Sequence, residues 1–321
     1  MTPAARRRFL ASSAAALFAT PLLARGANAQ VAPTPIKVAS SPNDDLTAIV
    51  YASKSGMYQK AGLDVTIEKS SSGAAVAAAV AAGAFDIGKS STSTIFDAHL
   101  RGVPFTILGP AADYDSKAPY GGFLFAPGST FKGGKDAEGQ TVAVSSLSSV
   151  GRVAFAAWVD QHGGDSKAVK FVEIPFPAVP PALDQQRIIA GETTQPTQQL
   201  AIAKGYRYVP IFSAVALHFS GAVIFSTKTF SAAHPEAVRT FMKVTYDSAR
   251  YCNAHPDATL QMMSDFNGVP LEVMQKTPRV ILGTELVASE VQSLIDAAAK
   301  CGVLPHAFPA RELIDANVVF R

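Results

Sequence analysis

A chain of 321 residues that is 48% hydrophobic can bury a sizeable core, enough for two lobes rather than one. Its formal net charge is +3, but the first 29 residues hold four Arg and no acid, so the remainder carries −1. With no basic stripe, a nucleic-acid-binding surface is excluded. No run reaches the roughly 18 apolar residues that a membrane helix needs.

The chain opens with Arg6-Arg7-Arg8-Phe9-Leu10, a twin-arginine pattern in which Ala5 stands where Ser or Thr is usual. An apolar run from Ala11 to Leu23 and a small-residue site, Ala27-Asn28-Ala29, follow. Residues 1–29 therefore read as a twin-arginine signal peptide cleaved after Ala29. The apolar run is too short to anchor the chain. No Cys follows it, so no lipid anchor is expected.

Ile36 to Ala39 alternates as a first strand. The polar turn Ser40-Ser41-Pro42-Asn43-Asp44-Asp45 leads into a helix from Leu46 to about Ser55. Asp44 and Asp45 suit an N-cap there. Val65 and Ile67 alternate with Thr66 and Glu68 as a second strand. Ser70 to Gly73 is a turn, and Ala74 to Ala82 is a strong helix former that Gly83 stops. Phe85 to Gly88 is a short strand, with Ser90 to Thr94 starting the next helix and Phe105 to Gly109 the next strand. Ala111 to Tyr114 leaves that strand.

Strands follow at Phe123–Ala126, Thr141–Val144 and Val169–Ile174. The Ser145–Gly151 turn opens a helix from about Arg152 to His162. Helices are predicted from about Pro180 to Ile188 and from Pro196 to about Lys204, then strands at Tyr206–Ile211 and Ala222–Phe225. From His234 the chain reads as helical: Pro235–Ala254, Pro256–Phe266, Leu271–Lys276 and Val287–Cys301, with Val318–Phe320 closing it. Strands alternating with helices imply parallel sheet, and the recurring Ser-rich turns sit at strand carboxyl ends, where open α/β sheets bind ligands.

Three pieces in the first part, GMYQKAGLDVTIEKSSSG, AAVAAGAFDIG and LRGVPFTILG, occur in a telling order. Four more follow: KGGKDAEGQTVAVSS, FVEIPFPAVPPALDQQRIIAG, TTQP and AVIFSTKTFSAAHPEAVRTFM. Together they resemble periplasmic substrate-binding proteins of the nitrate, sulfonate, taurine and thiamine-precursor type, the NMT1/THI5-like family that serves ABC transporters. The resemblance implies an α/β periplasmic binding protein fold of type II, with two α/β lobes, two crossing segments and a ligand cleft between. It places lobe 1 at residues 36–122 plus 224–321 and lobe 2 at 123–223. It further implies a periplasmic monomer that hands a small solute to an inner-membrane permease, without catalysis or cofactor. Two departures stand out: Ile189 replaces the family's usual Asp, and Gln195 its usual Glu before Pro196. If Gln195 faces the ligand, a negative charge is gone, which favours an anion or a neutral molecule over a cation.

Catalytic motifs are absent from the sequence: there is no Gly-x-Ser-x-Gly elbow, P-loop or His-Glu-x-x-His. His99, His162, His218, His234, His255 and His306 are scattered, with no metal-ligand spacing. Cys252 and Cys301 are either bridged or free, since spacing does not decide. Hydroxyls at helix N-termini suit sulfonate or carboxylate oxygens. The candidate ligand contacts are Ser41, Asn43, Ser72, Ser91, Thr92, Asp113, Tyr114, Ser148, Ser149, Arg152, Gln195 and His218. Arg152, a cation in the first turn of a helix, opposes the helix dipole and could hold an anion bidentately; the plainer reading is an exposed or acid-paired Arg. Tyr114, Tyr120 and Phe176 could stack on a planar ligand or pack the hinge. Rival roles are an exported enzyme of the same fold acting on a thiamine-pyrimidine-like compound, or a periplasmic ligand sensor.

Overall fold

The computed structural model describes residues 32–318. The signal-peptide reading and the closing residues Val319 and Phe320 lie outside the described residues.

Strand β1 (Thr34–Ser40) leads through a short 3-10 turn to α1 (Thr47–Lys54) and α2 (Met57–Lys60). Then come β2 (Leu63–Lys69), α3 (Gly73–Ala81), β3 (Ile87–Ser91), α4 (Thr92–Leu100) and β4 (Phe105–Asp115). The chain then crosses to β5 (Gly122–Phe125), β6 (Thr141–Val144), α5 (Val150–Gln161) and β7 (Lys170–Glu173). It continues with α6 (Val179–Asp184), β8 (Ala190–Thr193), α7 (Thr197–Ala203) and β9 (Arg207–Val209). A second crossing returns it to β10 (His218–Thr227), α8 (Lys228–Ala233), α9 (Pro235–Ala254), α10 (Leu260–Asn267), α11 (Leu271–Gln275), β11 (Ile281–Leu282) and α12 (Ala288–Lys300).

Two sheets result. The six-stranded one has the order β11-β4-β10-β3-β1-β2 and the five-stranded one β7-β6-β8-β5-β9. β1, β2 and β3 are parallel, while β10 runs antiparallel between β3 and β4. In the second sheet β6 is parallel to β7 and β8, and β5 is antiparallel to both its neighbours. This is the type II arrangement of two α/β lobes with two crossings. Ser116 N–H donates to Leu217 C=O at 2.9 Å, tying the crossings together. Tyr114 stacks on Phe219 with ring centroids 5.0 Å apart, and Tyr120 and Phe212 pack beside them.

The long helix α9 covers the six-stranded side because Val238, Phe241, Met242, Thr245, Tyr246, Ala249 and Cys252 recur at helical spacing and are all buried. Phe241 stacks on Tyr58 at 5.0 Å, and the Tyr58 hydroxyl meets Thr245 Oγ1 at 2.7 Å. The buried ring thus keeps a polar partner, and burying such an aromatic contributes about 1.5–3 kcal/mol.

Several elements differ from the sequence expectation. β3 runs on through Ser90 and Ser91, so α4 begins only at Thr92. β4 continues through Ala111–Tyr114 because β10 and β11 both pair with that stretch. β10 already pairs from His218, so the return to the first sheet precedes residue 224. β8, α2, α8 and β11 are further elements; each is too short to show a period of its own.

Candidate functional site

The carboxyl ends of β1, β2 and β3 and of β6, β7 and β8 face one another across a cavity of about 720 Å³. Both walls are built from strand-to-helix turns.

On the six-stranded side, Ser41, Asn43 and Asp45 of the β1–α1 turn line the cavity. That turn is held from behind. Asp44, 1% exposed, takes Arg279 Nε at 2.9 Å on both oxygens, Arg279 Nη2 at 2.6 Å and Val280 N–H at 3.1 Å. Asp44 and Asp45 therefore do not cap the helix: the first pairs with Arg279 and the second with Lys89. Lys89 is only 3% exposed in the middle of β3, with Nζ 2.8 Å from Asp45 Oδ1 and 3.4 Å from Ser41 Oγ. Burial makes such a pair necessary.

Next to it, the Ser70–Ser72 turn presents the start of α3. Ser72 Oγ accepts Ala75 N–H at 3.2 Å. Gly73 and Ala74 also line the cavity, and as the first helical residues their N–H groups lack intrahelical acceptors. Gly73 is dictated by a close approach, since a Cβ there would lie 2.5 Å from Ser90 Oγ. Ser90 Oγ lines the cavity, is buried, and has no protein partner; Thr193 Oγ1 and both amide atoms of Asn267 share that condition. Buried polar atoms are ordinarily paired, so four of them around one cavity form a candidate set of ligand contacts.

The five-stranded side supplies Ser145, Ser146, Glu192, Thr193 and Thr194, together with an apolar wall of Pro175, Phe176, Pro177, Pro180, Pro196 and Leu200. Glu192 is 5% exposed. Its Oε2 accepts Ser145 N–H at 2.7 Å and Ser149 Oγ–H at 2.8 Å. Burial raises the Glu192 pKa, and these donors oppose that rise. Tyr120 and Phe212 close the back beside Gly221 and Ala222.

The walls also touch. Val150 N–H, at the start of α5, donates to Ser91 Oγ at 3.0 Å, and Ser93 Oγ–H donates to Ser148 C=O at 2.5 Å.

Of the stacking candidates Tyr120 and Phe176 line the cavity, and of the twelve candidate ligand contacts Ser41, Asn43, Ser72 and Ser91 lie together at it. The others do not line it. Thr92 is buried and donates Oγ1–H to Ser220 C=O at 2.6 Å. Asp113 lies behind, accepting Ser220 Oγ–H at 2.9 Å, its carboxyl pushed up to about 7 chiefly by burial. Tyr114 is part of the aromatic hinge packing. Ser149 caps α5, accepting Arg152 N–H at 3.2 Å. Ser148 and Arg152 line a separate crevice of about 520 Å³. Arg152 spends Nη1 on Leu147 C=O at 2.6 Å and lies 5.5 Å from the Phe171 ring centre, so its charge is aimed away from the cavity. Gln195 is 1% exposed and does not line the cavity, so the charge argument built on it fails; a carboxylate stands on that wall after all, at Glu192. His218 is exposed, 3.8 Å from Asp115.

Reading the sequence missed Lys89, Ser90 as a contact, Glu192, Thr193 and Asn267 at the cavity. The available signal was a lone charge inside each short buried strand, Lys89 after Ile87-Gly88 and Glu192 after Ala190-Gly191. Cys252 and Cys301 are free thiols, each raised in pKa chiefly by burial. Among the described residues no group of three or more His, Cys, Asp or Glu is placed to hold a metal, and no helix is long and apolar enough to cross a membrane.

Comparison with known structures agrees with this architecture. The periplasmic aliphatic sulphonate binding protein SsuA from Escherichia coli superposes with a TM-score of 0.71 at 14% identity, covering 90% of this chain and 94% of that one. The alkanesulfonate-binding protein SsuA from Xanthomonas axonopodis pv. citri, bound to MOPS, gives 0.73 at 15% identity, covering 90% and 99%. The periplasmic nitrate-binding protein NrtA from Synechocystis PCC 6803 gives 0.73 at 13% identity, covering 89% and 86%. At such identities the likeness concerns the fold. No curated protein sequence matches the chain. The family model described as "NMT1/THI5 like" matches residues 43–259, a span that runs from the β1–α1 turn of the cavity through the five-stranded sheet and β10 to the residue before α10, and the chain belongs to that family.

Proposed function

We propose that this protein is a periplasmic solute receptor of an ABC importer, a monomer that binds one small organic anion between its lobes and presents it to an inner-membrane permease. The lobes of this reading are the six-stranded sheet with its helices and the inserted five-stranded sheet with its own. The observation that carries the reading is the asymmetry of the cavity. One wall offers the open end of α3, the unpaired Ser90 hydroxyl and Lys89 beside Asp45; the other adds prolines, Phe176 and Leu200 to its polar turn and Glu192. An anionic head suits the first wall, where helix N–H groups and a hydroxyl donate. An apolar body suits the second. A volume of about 720 Å³ admits an organic molecule and far exceeds what a bare inorganic ion fills. The anion-binding names of the structural relatives accord with this choice.

The test is a thermal-shift screen of the chain from Gln30 onward against sulfonates, aromatic and aliphatic carboxylates, nitrate, pyrimidines and amines. A true ligand at about 1,000 times its dissociation constant adds roughly 4 kcal/mol, on the order of 10 °C for a chain of this size. The expected hit is a monoanion with an apolar body, weakened by Lys89→Met and by Ser90→Ala. A hit confined to cations, or an anion indifferent to both substitutions, overturns the reading.

A further inference from the structure

We infer that Glu192 is a specificity-determining residue: its carboxylate acts as a built-in counter-anion that occupies the start of α5 and restricts the solute to a single anionic group. This rests on the anion reading above and deepens it.

Two helix starts face the cavity, and they are not in the same condition. At α3 only Ala75 N–H is capped, by Ser72 Oγ; Gly73 and Ala74 N–H have no intrahelical acceptor, and Ser90 Oγ–H takes no acceptor from the protein. At α5 the corresponding donors are engaged from within. Ser145 N–H and Ser149 Oγ–H both donate to Glu192 Oε2. Val150 N–H is spent on Ser91 Oγ of the opposite wall. The fit is tight enough to dictate a neighbour: a Cβ at Gly151 would stand 2.1 Å from the Glu192 carboxyl carbon. Glu192 lies at the centre of β8, buried, yet it lines the cavity. A carboxylate so placed does what a bound sulfonate or carboxylate would do at that helix end. It also repels a second anion on the solute and accepts a hydrogen bond from any N–H or O–H the solute turns toward it. The cavity therefore has one donor pole and one acceptor pole. The class of solute that fits carries one anionic group and a far end that is apolar or holds a hydrogen-bond donor, and solutes with a second anionic group are excluded.

Inorganic sulfate probes this without knowledge of the natural solute. The full protein is titrated with sodium sulfate by calorimetry, against sodium chloride of equal ionic strength, as wild type, Glu192→Ala and Glu192→Gln. Glu192→Ala should take up one more sulfate than wild type, and adding Ser149→Ala should weaken that extra site about tenfold or more. Glu192→Gln, which keeps the side-chain volume, should bind the extra sulfate more weakly than Glu192→Ala but measurably, and it remains readable if the Ala variant does not fold. Unchanged sulfate uptake in both variants overturns the inference. Sulfate at the α3 end is followed separately through Lys89→Met in each background. Its absence everywhere counts against the anion reading, and the Glu192 comparison is still decided.

Discussion

Replacing Gly151 by Ala tests how firmly the Glu192 carboxylate is held. Gly151 is the second residue of α5, and its Cβ would stand 2.1 Å from Glu192 Cδ and 2.5 Å from each carboxyl oxygen. Real Cβ atoms do not tolerate such contacts, so the carboxylate must leave. It then forfeits the bonds from Ser145 N–H and Ser149 Oγ–H, each worth about 1.5–3 kcal/mol when the acceptor is charged. Ala returns roughly 1 kcal/mol of helix propensity. The net expectation is a loss of about 2–5 kcal/mol. Urea unfolding reads it as a lower midpoint at unchanged slope. In a Glu192→Ala background the clash is gone, and Gly151→Ala should become neutral or stabilising by up to about 1 kcal/mol. A Gly151→Ala protein more stable than wild type, with Glu192 intact, would refute the reasoning.

Arg279→Ala should destabilise by about 3–5 kcal/mol, because it strands the buried Asp44 carboxylate; a chemical-denaturation curve indistinguishable from wild type would count against that network. Arg152→Ala should leave solute affinity within about twofold, because its guanidinium faces Leu147 and Phe171, while Lys89→Met should weaken an anion by about tenfold or more. Titration calorimetry separates the two, and the opposite ranking would place the anion in the outer crevice. Asp113 has a folded pKa of about 7 against an ordinary value of 3.8, so the folded protein holds a proton that the unfolded chain releases. Its contribution is fullest below pH 4 and is lost as pH rises to about 7. Asp113→Asn should therefore flatten the fall of the urea midpoint between about pH 4 and 7, and an equal fall in both proteins would contradict the assignment.

Period and turn chemistry made much of the fold legible. Ile36–Ala39, Thr141–Val144 and Pro235–Ala254 show clear alternation or helical spacing and lie in the elements found there. The hydroxyl turns were legible for the same local reason, since Ser72 and Ser149 do cap α3 and α5. What a local pattern lacks is direction. Arg152 follows the Ser-rich turn in sequence, but helical rotation carries it to the outer crevice. Gly109 and Pro110 masked the length of β4, because only pairing with β10, distant in sequence, keeps that stretch extended. Glu192 was obscure for a related reason. Ala190–Thr193 is too short to show which residues face inward, and its acceptor role exists only once β8 lies beside β6.

The placement of β10 orders the assembly of the chain in time. This strand is wedged between β3 and β4, and its Ser220 meets Asp113 across 107 positions of sequence. The five-stranded sheet needs only residues 122–209, all consecutive, and can finish while the rest of the polypeptide is still being made. The six-stranded sheet cannot. Until residue 227 has been added, β3 and β4 each present an unsatisfied edge to whatever strand they meet. The inserted unit can thus be complete before its host, and a nascent or truncated product ending before residue 218 should be a sticky intermediate rather than a smaller version of the folded protein.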